Sequence, residues 1–144
     1  MTQQLPEQLI IDPGAPELPR MRLFGVIVGD IDDPRSWSGY PFASKGDPKK
    51  ITMCTALWRK WVSTYRLKAD GTLVLERLEY PYTDGAAPDQ VDERLTGDFW
   101  LDLRESFMGA GTRVPFVAGR VEADCSQWRH KPGLPARPVR RLGQ

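Results

Sequence analysis

The chain has 144 residues, of which 40% are hydrophobic and 27% charged, and a formal net charge of +1. That length suits a single domain able to bury a core with no metal or disulfide scaffold. One histidine and two cysteines, Cys54 and Cys125, exclude a zinc spacing and a disulfide framework, and the near-neutral balance is not that of a dedicated nucleic-acid-binding domain.

Glycine and proline number 13 each, which favours many short elements joined by turns over a helix bundle. The charge is unevenly spread. From Arg129 onward the charged residues are Arg129, Lys131, Arg137, Arg140 and Arg141, all basic, so the body that precedes them is mildly acidic. The first residues lack the basic and apolar regions of a secretory signal, and the longest apolar run, near Leu23 to Val28, is too short to span a bilayer. The expected compartment is the cytoplasm, with both cysteines buried as free thiols.

Residues 1–19 read as an extended arm, because Pro6, Pro13, Pro16 and Pro19 oppose a helix or a central strand. Leu9, Ile10 and Ile11 form the arm's apolar cluster and are expected to dock on the body. Residues 20–29 (RMRLFGVIVG) predict a strand buried on both faces. The stretch from Asp30 to Lys49 is a long loop holding Trp37, Tyr40 and Phe42, and so many aromatics predict that it folds back over the body.

Residues 51–58 and 60–68 predict two strands, or one strand bent near Arg59. Asp70-Gly71 follows, between alternating segments, and predicts a hairpin. Before the turn Trp61, Ser63, Tyr65 and Leu67 share a face. After it Leu73 and Leu75 fall on one face, with Val74, Leu78 and Tyr80 on the other. Residues 81–90 read as a turn-rich connection, 91–96 (VDERLT) as a helical turn, 97–104 as a strand and 105–112 as a flexible loop. Residues 113–124 predict a hairpin turning at Ala118-Gly119, with Pro115 confining its first strand to an edge or bulge. From about Trp128 the prolines predict an extended tail. The expected fold is mainly β: a small antiparallel barrel or sandwich of about six or seven strands, with at most one or two short helices. The domain plan is an arm over 1–19, one β-rich domain over 20–128 and a basic, proline-rich tail over 129–144.

No motif for catalysis stands above its structural reading. His130 lies between two basic residues in the tail, a poor setting for a general base. Asp30, Asp32 and Asp33 cluster without the spacing of a calcium loop. Gly109-Ala110-Gly111 lacks the rest of a phosphate-binding loop, and no serine sits in a nucleophile elbow. The carboxylate pairs Asp98 with Asp102 and Glu76 with Glu79 read as charges on solvated strand faces. Accordingly no catalytic residue, metal or cofactor is expected.

The aromatic and basic residues are more suggestive. Trp37, Tyr40, Phe42, Trp58, Arg59 and Trp61 are the candidate surface for a partner, since Trp, Tyr and Arg anchor interfaces. This reading makes the chain a non-enzymatic binding or accessory protein whose partner is another protein or a second copy of itself. A different reading makes it a small-molecule carrier, or an enzyme without histidine, with Arg66, Arg77, Asp102, Arg104 and Arg113 turned into a barrel, where a charge must be paired or meet a ligand. A weak single-stranded nucleic-acid binder is the last alternative, disfavoured by the acidic body.

Overall fold

The computed structural model describes residues 5–39, 50 and 61–133. The fold is mainly β, as the turn-rich composition predicts. Ten strands are described: β1 (Gln8–Ile11), β2 (Arg22–Val28), β3 (Ser38–Gly39), β4 (Val62–Leu67), β5 (Leu73–Glu79), β6 (Asp89–Arg94), β7 (Phe99–Arg104), β8 (Gly111–Val117), β9 (Arg120–Val121) and β10 (Arg129–Lys131). They form a four-stranded sheet ordered β1-β4-β5-β6 and a six-stranded sheet ordered β10-β8-β7-β2-β3, with β9 beside β8. The arrangement is sandwich-like, and among the described residues no barrel closes. Short 3-10 turns occupy Pro34–Ser36 and Cys125–Gln127. No helix of the described residues is long and apolar enough to cross a membrane.

The core lies between the sheets. From the six-stranded sheet it takes Leu23, Phe99, Leu101, Leu103, Val114 and Phe116, and from the four-stranded sheet Tyr65, Leu67, Leu73, Leu75 and Leu78. Phe99 stacks on Phe116 with centroids 4.6 Å apart. Strict alternation in β7 explains why its residues 99, 101 and 103 are buried together.

Both predicted hairpins form. Gly71 has φ 84°, and the Asp70 carboxylate accepts from the Thr72 amide at 3.0 Å and the Thr72 hydroxyl at 2.7 Å. Ala118 and Gly119 have φ 51° and 80°, the left-handed pair that a tight hairpin turn requires. The two turns also meet, since the Val121 amide donates to the Gly71 carbonyl at 2.9 Å. Pro115 sits in β8 between the stretch paired to β10 and the stretch paired to β9. Its carbonyl accepts from Glu122, so its missing N–H faces that gap and not β7.

Several expectations need correction. The arm contributes a strand: β1 pairs parallel with β4, so the proline-flanked Leu9-Ile10-Ile11 segment becomes a sheet edge. Residues 91–96 are not a helical turn, since 89–94 form β6 against β5. Gly111 and Thr112 belong to β8 and not to a flexible loop. The first tail residues form β10 against β8. The alternation in β5 also changes phase. A register shift against β4, between Thr64 and Tyr65, leaves Glu76 as the extra residue of a bulge, so Leu78 and Tyr80 join Leu73 and Leu75 in the core instead of facing away. Within the long loop, Ser38 and Gly39 pair with β2, folding that part back on the body. The strand expected over 51–58 and the loop residues 40–49 lie outside the described residues.

Candidate functional site

The alternation that buries Phe99, Leu101 and Leu103 turns Trp100, Asp102 and Arg104 to the outer face of the six-stranded sheet. Arg113 of β8 stands directly across from Asp102, and directly opposed residues share a face. Three of the five polar candidates, Asp102, Arg104 and Arg113, are thereby gathered in one place. They lie outside the sandwich and not within it, because the space between the sheets is filled by the apolar core.

Asp102 is the hub. Only 8% of its side chain is exposed, so it is not the solvated charge that the sequence suggests. It accepts from Arg104 through both oxygens, from Nε at 3.2 Å and Nη2 at 2.7 Å. Arg104 Nη1 donates to the Phe107 carbonyl at 2.7 Å, and its guanidinium lies over the rings of Phe24 and Phe107 at 5.5 and 5.7 Å. Arg113 is placed differently. Its Nε is 3.9 Å from Asp102 Oδ1, beyond hydrogen-bond reach, and its guanidinium lies 4.6 Å from the centre of the Trp37 ring. Arg113 Nε is buried with no hydrogen-bond partner among the described residues. Trp37 is held for this contact by its indole N–H, which donates to the Asp30 carbonyl at 2.7 Å.

β10 adds further cations. Arg129 pairs with Arg113, and Lys131 with Gly111, which also faces Arg104 across β7. A side chain at Gly111 would meet the Leu103 carbonyl at 2.2 Å and Arg104 Cγ at 3.0 Å, so glycine is what lets Arg104 lie across β8. Burial pushes the Lys131 pKa down, and the charges of Arg104 and Arg113 push it the same way against the pull of Asp102. Arg129 meets Asp32 at 3.5 Å, an exposed pair at the rim.

The other candidates are not brought here. Trp61 is 9% exposed and packs into the core, so its ring is not presented to a partner. Arg66, on the four-stranded sheet, is bound by Asp12 at 2.7 Å and by Glu76. The hydrogen bond to Glu76 and then that to Asp12 hold its pKa above the ordinary arginine range. Arg77 pairs with Glu79 at 3.0 Å, both more than a third exposed. Tyr40, Phe42, Trp58 and Arg59 lie outside the described residues, as does Cys54.

Asp30 and Asp33 accept from backbone amides of their own turn, at 2.9 and 3.2 Å. Among the described residues no His, Cys, Asp and Glu side chains gather in the threes needed to hold a metal. His130 approaches the Thr112 hydroxyl at 3.1 Å, so it is partnered where a loose tail was expected. Cys125 is exposed in its 3-10 turn and not buried.

Phe24, Phe107 and Lys131 are the contributors that sequence reading passed over. Phe24 lies in the register shift between Leu23 and Gly25, which no alternation rule anticipates. Phe107 sits in an irregular connection. Lys131 was hidden by the prolines after it, although Arg129 and Lys131 already share a period-two face. Comparison of the chain with protein-family models, with curated proteins and with solved structures finds no match in any of the three.

Proposed function

We propose that this chain is a non-enzymatic binding or accessory protein, that its working face is the outer face of the six-stranded sheet, and that its partner is a protein. One observation carries the reading: the Arg113 side chain, only 13% exposed, lies against Trp37 with its buried Nε lacking a hydrogen-bond acceptor among the described residues. Arginine and tryptophan are, with tyrosine, the residues enriched at interface hot spots, the positions where truncation costs about 2 kcal/mol or more of binding. The inner face of the same sheet is committed to the core, which leaves the outer face for recognition. Asp102 has both oxygens engaged by Arg104, a poor arrangement for a general base.

The test compares the wild-type chain with the double variant Trp37→Ala/Arg113→Ala as bait at matched concentration, after circular dichroism establishes that both retain the β spectrum. A protein retained by the wild type and lost from the variant supports the reading. The same proteins retained by both would remove the face assigned here. Size-exclusion chromatography with light scattering, run on both, tells whether that protein is a second copy of the chain.

A further inference from the structure

We propose that Arg113 and Lys131, with Arg104 fixed behind them, receive a single carboxylate carried on an acidic segment of the protein partner; this deepens the preceding reading and takes from it only that the partner is a protein. The cluster holds three cations and one internal anion. Asp102 is already doubly bonded to Arg104, at 3.2 and 2.7 Å, and stays 3.9 Å from Arg113 Nε. Once Arg104 and Asp102 are set against each other, the charges of Arg113 and Lys131 have no further carboxylate to match them among the described residues. A buried charge left without a hydrogen-bonded counterpart is costly, and a ligand anion removes that cost.

The strand register brings the two groups together. Arg113 and Gly111 are two residues apart on one face of β8, and Lys131 stands opposite Gly111 on β10. The residue between Arg104 and Lys131 therefore has no side chain, and nothing larger fits there. Trp37 occupies one side of the Arg113 guanidinium, with the indole ring centre 4.6 Å away, which leaves the remaining sides for a partner. Edge-on, planar, two-point bonding is the geometry in which a guanidinium takes a carboxylate. The adjoining groove of about 370 Å³, lined by Asp30, Asp32, Asp98, Trp100 and Arg129 among others, carries acidic groups. That confines the positive region to one short patch, which suits a lone carboxylate better than a polyphosphate backbone.

The experiment is fluorescence anisotropy with a labelled decaglutamate peptide at constant ionic strength, with a decaglutamine peptide as the neutral control. The wild type is expected to bind the acidic peptide and not the neutral one. Arg113→Met and Lys131→Met are each expected to weaken binding about tenfold or more, while Arg20→Gln, which removes an exposed charge elsewhere, leaves it unchanged. Retained binding in both Met variants, or an equal loss in Arg20→Gln, overturns the site in favour of general charge attraction. Inorganic phosphate displacing the peptide at concentrations where acetate does not would overturn the carboxylate assignment. If the peptide fails to bind but the Trp37→Ala/Arg113→Ala variant still loses its captured protein, this site falls and the partner face stands. If neither effect is seen, both fall.

Discussion

Two partly buried arginines, one on each sheet, have opposite surroundings. Arg66 keeps 30% of its side chain exposed and is gripped by Asp12 and Glu76, one carboxylate on either side. Arg113 keeps 13% exposed, has no hydrogen bond among the described residues, and faces an aspartate already taken by Arg104. The four-stranded sheet has settled its charge internally. Among the described residues the six-stranded sheet has not, and on the proposed reading the difference separates a structural ion pair from a group held for a partner.

The comparison depends first on a shared core. Phe99→Ala removes the ring stacked on Phe116 beneath both outer faces and is expected to cost about 3–5 kcal/mol, read as a lower urea midpoint with unchanged slope. A loss below about 1 kcal/mol would mean that the two faces do not rest on one core. Next in size, Asp102→Asn leaves Arg104 and Arg113 facing no carboxylate and is expected to cost about 3 kcal/mol. The matching change on the other sheet, Glu76→Gln, is expected to cost about 1 kcal/mol or less, because that pair is nearly a third exposed and Asp12 remains. Equal costs would erase the contrast.

The sharpest distinction is one of sign. Arg113→Met replaces an unmatched charge with an apolar chain and is expected to shift stability by less than about 1 kcal/mol, or raise it, the loss of the Trp37 contact being offset by relief of desolvation. Arg66→Met strands two carboxylates and is expected to destabilise, read as a lower denaturation midpoint. Chemical denaturation of the two variants side by side measures both.

The smallest effects are in the pH profile. Hydrogen bonds from Thr72 hold the Asp70 pKa below its ordinary value of 3.8, and those from Ser126 do the same for Asp124. A depressed carboxylate contributes stability that is present above the unfolded value and lost as pH falls through the folded one. Lys131 has the same sense at the alkaline end of the scale. Its folded pKa is depressed below 10.5, so stability rises as pH climbs from the folded value to the unfolded one. An Asp70→Asn variant is expected to flatten the acid limb of the denaturation midpoint, and Lys131→Met the alkaline limb. An unchanged profile in either variant would detach that side chain from the transition.

Short-range chemistry was readable residue by residue. Asp70-Gly71 and Ala118-Gly119 mark their hairpins because few residues tolerate positive φ, and the alternation of residues 99–104 marks β7 because side chains of a strand point to opposite faces. That alternation also placed Asp102 and Arg104 on one side, but it could not say whether that side faces a cavity, the core or the surface. The bulge at Glu76 and the strand made by 89–94 were missed because a register shift or an edge strand rich in charge is stabilised by its neighbour and not by its own pattern.

The amino-acid order thus settles the β character and the principal turns, since these follow from dihedral preferences and from a period of two within a few residues. The assembled sheets alone decide that a proline-flanked arm pairs parallel with a strand about fifty residues away, and that β10 carries Lys131 to the Arg113 cluster. Such pairings depend on which edges are left open once the core has formed. That quantity belongs to the whole sandwich, and no local window contains it.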